Sequence, residues 1–310
     1  MRRAILDTTR RFPRLAALSA LLLAVACAGP QQARYGSPEE AVAALAAALE
    51  TRDAASAAQL FGEGGVDMIR SGDAVADRQD AERVLAAIRE RVDFEPAEDG
   101  TQVLVLGADG WPFPIPLEPD GDGWRFDVEA GVVEIEFRRI GRNELSTIAT
   151  LRAFVEAQRE YLAGGFAGDV PAYADRLLSS EGARDGLYWP AAEGEPESPL
   201  GPLVAAAAAE GYERADRRQE PYHGYLFRGL FAQGEHAPGG ARNYRDEAGR
   251  LTGGFALVAW PARYGSSGIM TFLVNQQGIV FETDLGPGTA ERVAQIVQYD
   301  PDEAWIPTVD

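Results

Sequence analysis

The run at residues 111–117 reads Trp-Pro-Phe-Pro-Ile-Pro-Leu, with proline at every second position. Proline has no N–H to give to a ladder, so the run is barred from the middle of a sheet but not from its edge. The alternation puts Pro112, Pro114 and Pro116 where an edge strand's N–H groups would face outward. Trp111, Phe113, Ile115 and Leu117 then share one buried face. The same prolines would stop another strand from adding there. A polyproline-type ligand is the other reading of the run; the strict apolar alternation favours the edge strand. Asp120-Gly121-Asp122-Gly123 then turns the chain. Its acids lack the twelve-residue register of a calcium loop. Trp124, Phe126 and Val128, alternating with Arg125 and Asp127, read as the next strand.

Helices precede this sheet. Ser37-Pro38-Glu39-Glu40 combines a capping serine, a proline suited to the first helical position and a glutamate that closes a capping box. Val42, Leu45 and Leu49 follow at helical spacing. A second helix is expected from Asp53 to Phe61. A third, from about Asp77 to Val92, carries Val84, Leu85, Ile88 and Val92 on one stripe. Residues 102–106 form a compact apolar strand. Residues 129–142 show no clear period. From about Asn143 to Leu162 a helix is expected, with Leu145, Ile148, Leu151, Phe154, Val155 and Tyr161 on its apolar face. A short helix around the alanines at 205–209, strands at 222–232, 254–260, 268–275 and 278–283, and a helix at 289–298 complete the chain. The fold class expected is α+β. It comprises an N-terminal unit over 37–142 and a second unit over 143–310, in which a long helix packs on an antiparallel meander.

The first 26 residues differ in kind. Arg2, Arg3, Arg10, Arg11 and Arg14 stand before an uncharged run over 15–26, which ends Ala24-Val25-Ala26 before Cys27. A basic region, a short apolar region and small residues at a cleavage point make a secretory leader. As a helix the apolar run would span roughly 18 Å, well short of a bilayer core of about 30 Å. Cys27 is the single cysteine, so no disulfide can form within the chain. Its position resembles that of the lipid-modified cysteine of bacterial lipoproteins, although Ala24 stands where leucine is commoner. The resemblance implies a lipid on Cys27, a tether over 27–36, and anchoring at a membrane of the cell envelope. Ala28, in place of aspartate, points to the outer membrane on the periplasmic side.

The leader carries a formal charge of +4 and the remainder −23, spread almost evenly over the two units. Nucleic acid is therefore not an expected partner, since phosphate needs a cationic face. The basic residues are all arginine, which excludes the lysine of a phosphate-binding P-loop. Two histidines and one cysteine give no metal cluster of the common kinds, and no metal or other cofactor is expected. His223, in Pro221-Tyr222-His223-Gly224-Tyr225, reads as a strand histidine among aromatic rings or as a general base beside Glu220. His236 lies in a glycine-rich loop and reads as solvated. Glu193, Glu195 and Glu197 lie on a proline-rich loop and could supply the paired carboxylates of a glycosidase. On the same loop Tyr188 and Trp189, together with Trp260, are candidates for a binding surface; the alternative is that these rings fold back onto the sheet.

The helix-then-strands order of the N-terminal unit resembles NTF2-like and cystatin-like domains. Residues 143–285 resemble the globular part of type IV pilins and pseudopilins, on Gly254-Phe255-Ala256-Leu257-Val258-Ala259, Thr271-Phe272-Leu273-Val274 and Gly278-Ile279-Val280. In a pilin that helix is N-terminal, whereas here it is internal. The chain as a whole resembles the bacterial family termed domain of unknown function 2950. The likeness runs through WPFPIPL (111–117), RRIGRNEL (138–145), AQREY (157–161), RDGLYWP (184–190), GEPESPLGPL (194–203), PYHGY (221–225) and GGFALVAWPARYG (253–265). It implies an exported, often lipid-anchored envelope protein and no assigned activity. The expectation is a non-enzymatic binding or scaffolding lipoprotein for another envelope component. The alternative is an envelope hydrolase acting on glycan or peptide.

Overall fold

A computed structural model describes residues 32–191, 194–195, 197–210 and 221–309. The leader and Cys27 lie outside the described residues. α1 (Pro38–Thr51) starts as its sequence dictates, with Ser37 Oγ accepting from the Glu40 N–H at 3.3 Å. The Glu40 carboxylate takes the Gly36 N–H at 2.9 Å, so the capping box closes one residue further out than expected. α2 (Ala54–Ile69) is capped by Asp53 and continues past Phe61 through a kink at Gly62, whose φ is 74°. α3 (Ala74–Glu90) starts on Asp73, which accepts from the N–H groups of both Val75 and Ala76.

These helices pack on a sheet of β1 (Val92–Pro96), β2 (Gln102–Leu106), β3 (Trp111–Pro112), β4 (Leu117–Asp120) and β5 (Gly123–Phe126). Its order is β1-β2-β4-β5, with β3 also pairing β2, and the pairs are antiparallel. The proline run is therefore a strand for two residues only. The Phe113 N–H still reaches the Leu104 carbonyl at 2.7 Å, and the chain re-enters the sheet at Leu117. Phe113, Ile115 and Leu117 keep the expected buried face. Trp111 does not: it is 37% exposed, beneath the Arg138 guanidinium. With no N–H at alternate residues the ladder to β2 lapses, and a helix takes up the face instead. A Cβ on Gly131 would sit 2.7 Å from Ile115 Cγ1.

That helix is α4 (Val128–Ala163), 36 residues started by Asp127, whose Oδ1 accepts from the Ala130 N–H at 3.0 Å. It begins fifteen residues before the start expected at Asn143 and absorbs the segment without clear period. The expected division between 142 and 143 thus falls inside a continuous helix of roughly 54 Å. Its first turns join the N-terminal core through Val128 and Val132, beside Leu45, Leu60, Leu104, Ile115, Leu117 and Phe126. Its last turns join a second core through Leu151, Phe154, Val155 and Tyr161.

The second unit contains α5 (Gly201–Glu210), β6 (Tyr225–Leu230), β7 (Ala232–Gln233), β8 (Arg242–Asn243), β9 (Ala256–Pro261), β10 (Met270–Asn275), β11 (Phe281–Asp284), α6 (Thr289–Gln295) and β12 (Ile306–Pro307). The sheet order is β12-β11-β10-β9-β6, an antiparallel meander, while β7 and β8 form a separate ribbon. Both faces are covered. Leu257, Ala259, Phe272 and Val274 turn toward α4. Val258, Trp260 and Leu273 turn toward Val293 and Tyr299. Burial on both sides explains why β9 reads as an unbroken apolar run. The fold is α+β. Among the described residues, no helix is long and apolar enough to cross a membrane.

Candidate functional site

Midway along α4, between the two cores, the buried row changes character. Gly131, Ile135, Arg139, Asn143, Thr147, Leu151 and Val155 follow one another at four-residue spacing, a row that winds slowly round the helix by about 40° per step. The outer members are apolar or glycine, whereas Arg139, Asn143 and Thr147 are polar and only 5%, 8% and 1% exposed. Buried polar groups must find partners, and here the partners come from the second unit. Asn143 Nδ2 donates to the Ser267 carbonyl at 2.8 Å, and Arg139 Nη1 reaches Ser266 Oγ at 3.4 Å. The Thr147 hydroxyl bonds back to the Asn143 carbonyl at 2.8 Å. Burial pulls the pKa of Arg139 down, while Asp77, Asp80 and Glu136 favour its charged form.

Asp73 completes the junction. While one carboxylate oxygen caps α3, the other accepts the Gly224 N–H at 3.1 Å, across 151 residues of sequence. Gly224 sits in a two-residue turn between Tyr222 and Tyr225, whose N–H and C=O groups bond reciprocally at 2.9 and 3.1 Å. His223 and Gly224 both have positive φ, 47° and 73°, as such a tight hairpin turn requires. A side chain at 224 would be strained in that conformation, and its Cβ would lie 2.6 Å from Asn143 Nδ2. His223 is therefore a turn residue rather than the strand residue expected. Its Nε2 lies 3.1 Å from a Glu210 carboxylate oxygen, and its ring centroid 4.3 Å from that of Tyr222. Glu220, the sequence neighbour expected beside it, lies outside the described residues. Burial, with Glu210 nearby, pushes the Tyr222 phenol up to about 12.

The remaining candidates are dispersed. Trp189 is 4% exposed in the second core, edge-on to Phe166 at 4.9 Å. Arg184 lies over its ring and reaches Glu195 at 3.3 Å. Trp260 is 8% exposed on the far face of the sheet, and Tyr188 packs partly buried against the second core. The aromatic loop thus folds back on the sheet, because Leu187 and Trp189 bury more apolar surface there than solvent would allow. Glu197 is exposed; Glu193 lies outside the described residues. His236 is exposed, its backbone N–H and Nδ1 both within 3.1 Å of Asp300 Oδ1. No three His, Cys, Asp or Glu side chains among the described residues converge as metal ligands.

What reaches solvent is the opposite side of α4. Val133, Phe137 and Leu145 are 70%, 76% and 70% exposed. With Gly141 and Ala149, also exposed, they form a second row at four-residue spacing. An exposed phenylalanine and two aliphatics thus follow one another along the solvent side of the helix. Leu145, expected on the buried stripe, is instead exposed in this row. The one available signal of the row in the sequence is the lack of clear period over 129–142.

Neither the curated proteins nor the solved structures compared with this chain include a match to it. A family profile does match, over residues 32–308, and its description is "Protein of unknown function (DUF2950)". The match takes in both cores, all of α4 and the turn at His223, so the chain belongs to the DUF2950 family.

Proposed function

We propose that this chain is an exported, lipid-anchored protein of the cell envelope that binds or scaffolds another envelope component without chemistry of its own. The observation that carries the reading is the row Val133, Phe137, Gly141, Leu145 and Ala149 on the solvent side of α4. Exposed apolar anchors on a helix suit a partner that offers an apolar helical face of its own. The helix is pinned to a core at either end and so presents the row on a rigid rod. Rigid presentation lowers the ordering cost of binding.

The test is affinity capture from detergent-solubilised envelopes, with a Phe137→Glu, Leu145→Glu double variant alongside. The variant is expected to lose the retained chains, a differently tagged copy of this protein among them. A control change at Val297, which is 73% exposed elsewhere, should retain them. An unchanged set in the double variant would overturn the reading. Anchoring is tested separately: labelled palmitate should enter the wild type and not Cys27→Ala.

A second reading, a hydrolase acting on glycan or peptide, draws on His223 Nε2 beside the Glu210 carboxylate at 3.1 Å. A carboxylate there would orient the imidazole of a general base. It predicts hydrolysis of envelope glycan or peptide that disappears in His223→Ala.

A further inference from the structure

From the same row we infer that the partner seated on it is a second copy of this chain, lying antiparallel across α4 with Gly141 at the two-fold axis. The inference rests on the reading of the row as a docking surface and adds the identity of what docks.

Three features of the row carry it. First, Gly141 is its midpoint. Phe137 and Leu145 lie four residues to either side, Val133 and Ala149 eight. In an antiparallel pair centred on Gly141, each Phe137 meets the copy's Leu145. Large residues then face smaller ones, and the pattern is self-complementary, as a two-fold interface must be.

Second, the centre is open. A Cβ built on Gly141 finds nothing within 4 Å. Two helices whose four-residue ridges interlock cross at about 50°, with axes about 8–10 Å apart. The contact then concentrates at the crossing point, and a glycine there allows the closest approach.

Third, charge selects the direction. Residues 128–137 of α4 carry Glu129, Glu134 and Glu136 and no base, a formal −3. Residues 138–152 carry Arg138, Arg142 and Arg152 outside the seam, a formal +3, while Arg139 is buried and Glu144 accepts from the Ile269 and Met270 N–H groups. A parallel pair would set like against like, while an antiparallel pair sets each acidic segment beside the copy's basic one. Arg138 already pairs with Glu134, and Arg142 with Asp80. Such surface pairs are weak, about 0–1 kcal/mol, and leave the asymmetry of the helix in place.

Two phenylalanines and two leucines make a small interface, below the roughly 1,200 Å² of most stable complexes. The dimer is therefore expected in the micromolar range, and confinement to a membrane plane would favour it by raising effective concentration.

Sedimentation of the full chain across the micromolar range is expected to show a monomer–dimer equilibrium. Phe137→Glu with Leu145→Glu should weaken it more than about 100-fold, since each change enters the interface twice. Circular dichroism checks that the variant folds. A second measurement avoids charged variants altogether. In a Cys27→Ser background, Gly141→Cys should form an intermolecular disulfide on mild oxidation. Phe137→Cys, also at an exposed position, should not, because two copies of position 137 would lie beyond the roughly 7 Å that a disulfide can span. Wild type that stays monomeric throughout, a dimer that survives the double variant, or cross-linking at 137 but not at 141 would each overturn the proposal. Binding to anionic lipid vesicles, lost in the double variant while the wild type remains monomeric, would overturn it in favour of a membrane face. If the chain is monomeric but the double variant still loses its captured envelope chains, the dimer falls and the docking reading stands.

Discussion

The two rows of α4 invert the usual rule. The buried row runs through Arg139, Asn143 and Thr147, while the exposed row runs through Val133, Phe137 and Leu145. At either end of the same helix the rule is obeyed, with Val128 and Val132 in one core and Leu151 and Val155 in the other. The contrast shows what a junction between two units requires. A core needs apolar bulk. A seam where loops and helix ends meet needs hydrogen-bond partners for backbone groups that have none, such as the Ser267 carbonyl and the Gly224 N–H. Polar side chains go where those groups are, and the apolar residues of that stretch are left outside.

The comparison can be broken from the core side first. Leu151→Ala removes a side chain with no exposed surface and should cost about 2–5 kcal/mol, read as a lower denaturation midpoint. A loss under about 1 kcal/mol would show that the C-terminal end of α4 is not seated in its core as described. Next is the seam. Asn143→Ala leaves the Ser267 carbonyl without its donor and should cost about 1–3 kcal/mol. Hydrogen exchange should rise across the 222–225 turn and residues 263–267 ahead of the two sheets. Uniform exchange would mean that the junction and the cores open together.

A smaller effect concerns Glu282, whose pKa is raised by burial and by nearby Glu144. A carboxyl with a raised folded pKa adds stability below its ordinary value of 4.5 and loses it as pH rises through the folded value. Glu282→Gln is therefore expected to raise the melting temperature at pH 7 and to leave it unchanged near pH 4. A gain at the lower pH would assign the effect to packing instead. The smallest effect belongs to the exposed row. Phe137→Ser should change the stability of the dilute, monomeric chain by no more than about 0.5 kcal/mol. A large loss would mean that Phe137 packs within its own chain, and the inversion would disappear.

Much of the architecture was legible. Ser37, Pro38 and Glu40 announced α1, the alternation at 124–126 announced β5, and Gly278 marked the hairpin between β10 and β11, where its N–H returns to the Asn275 carbonyl. The start of α4 was not legible, because a periodicity argument assumes one buried face, and this helix turns a different side inward along each half. The candidate site was less legible still. Asp73, Arg139, Asn143 and Gly224 are ordinary residues in sequence, and they meet only because α3, α4 and the 222–225 turn converge. His223 attracted attention for its chemistry, yet its position reflects a positive-φ turn.

Local propensity and period, which need only neighbours within a few residues, determined the elements and the α+β class from the sequence alone. Tertiary structure alone decided which side of α4 is inside and that Trp189 belongs to a core. It also decided where that helix begins, fifteen residues before Asn143. Burial depends on what the rest of the chain brings to a residue, and here those partners lie as far as 151 positions away.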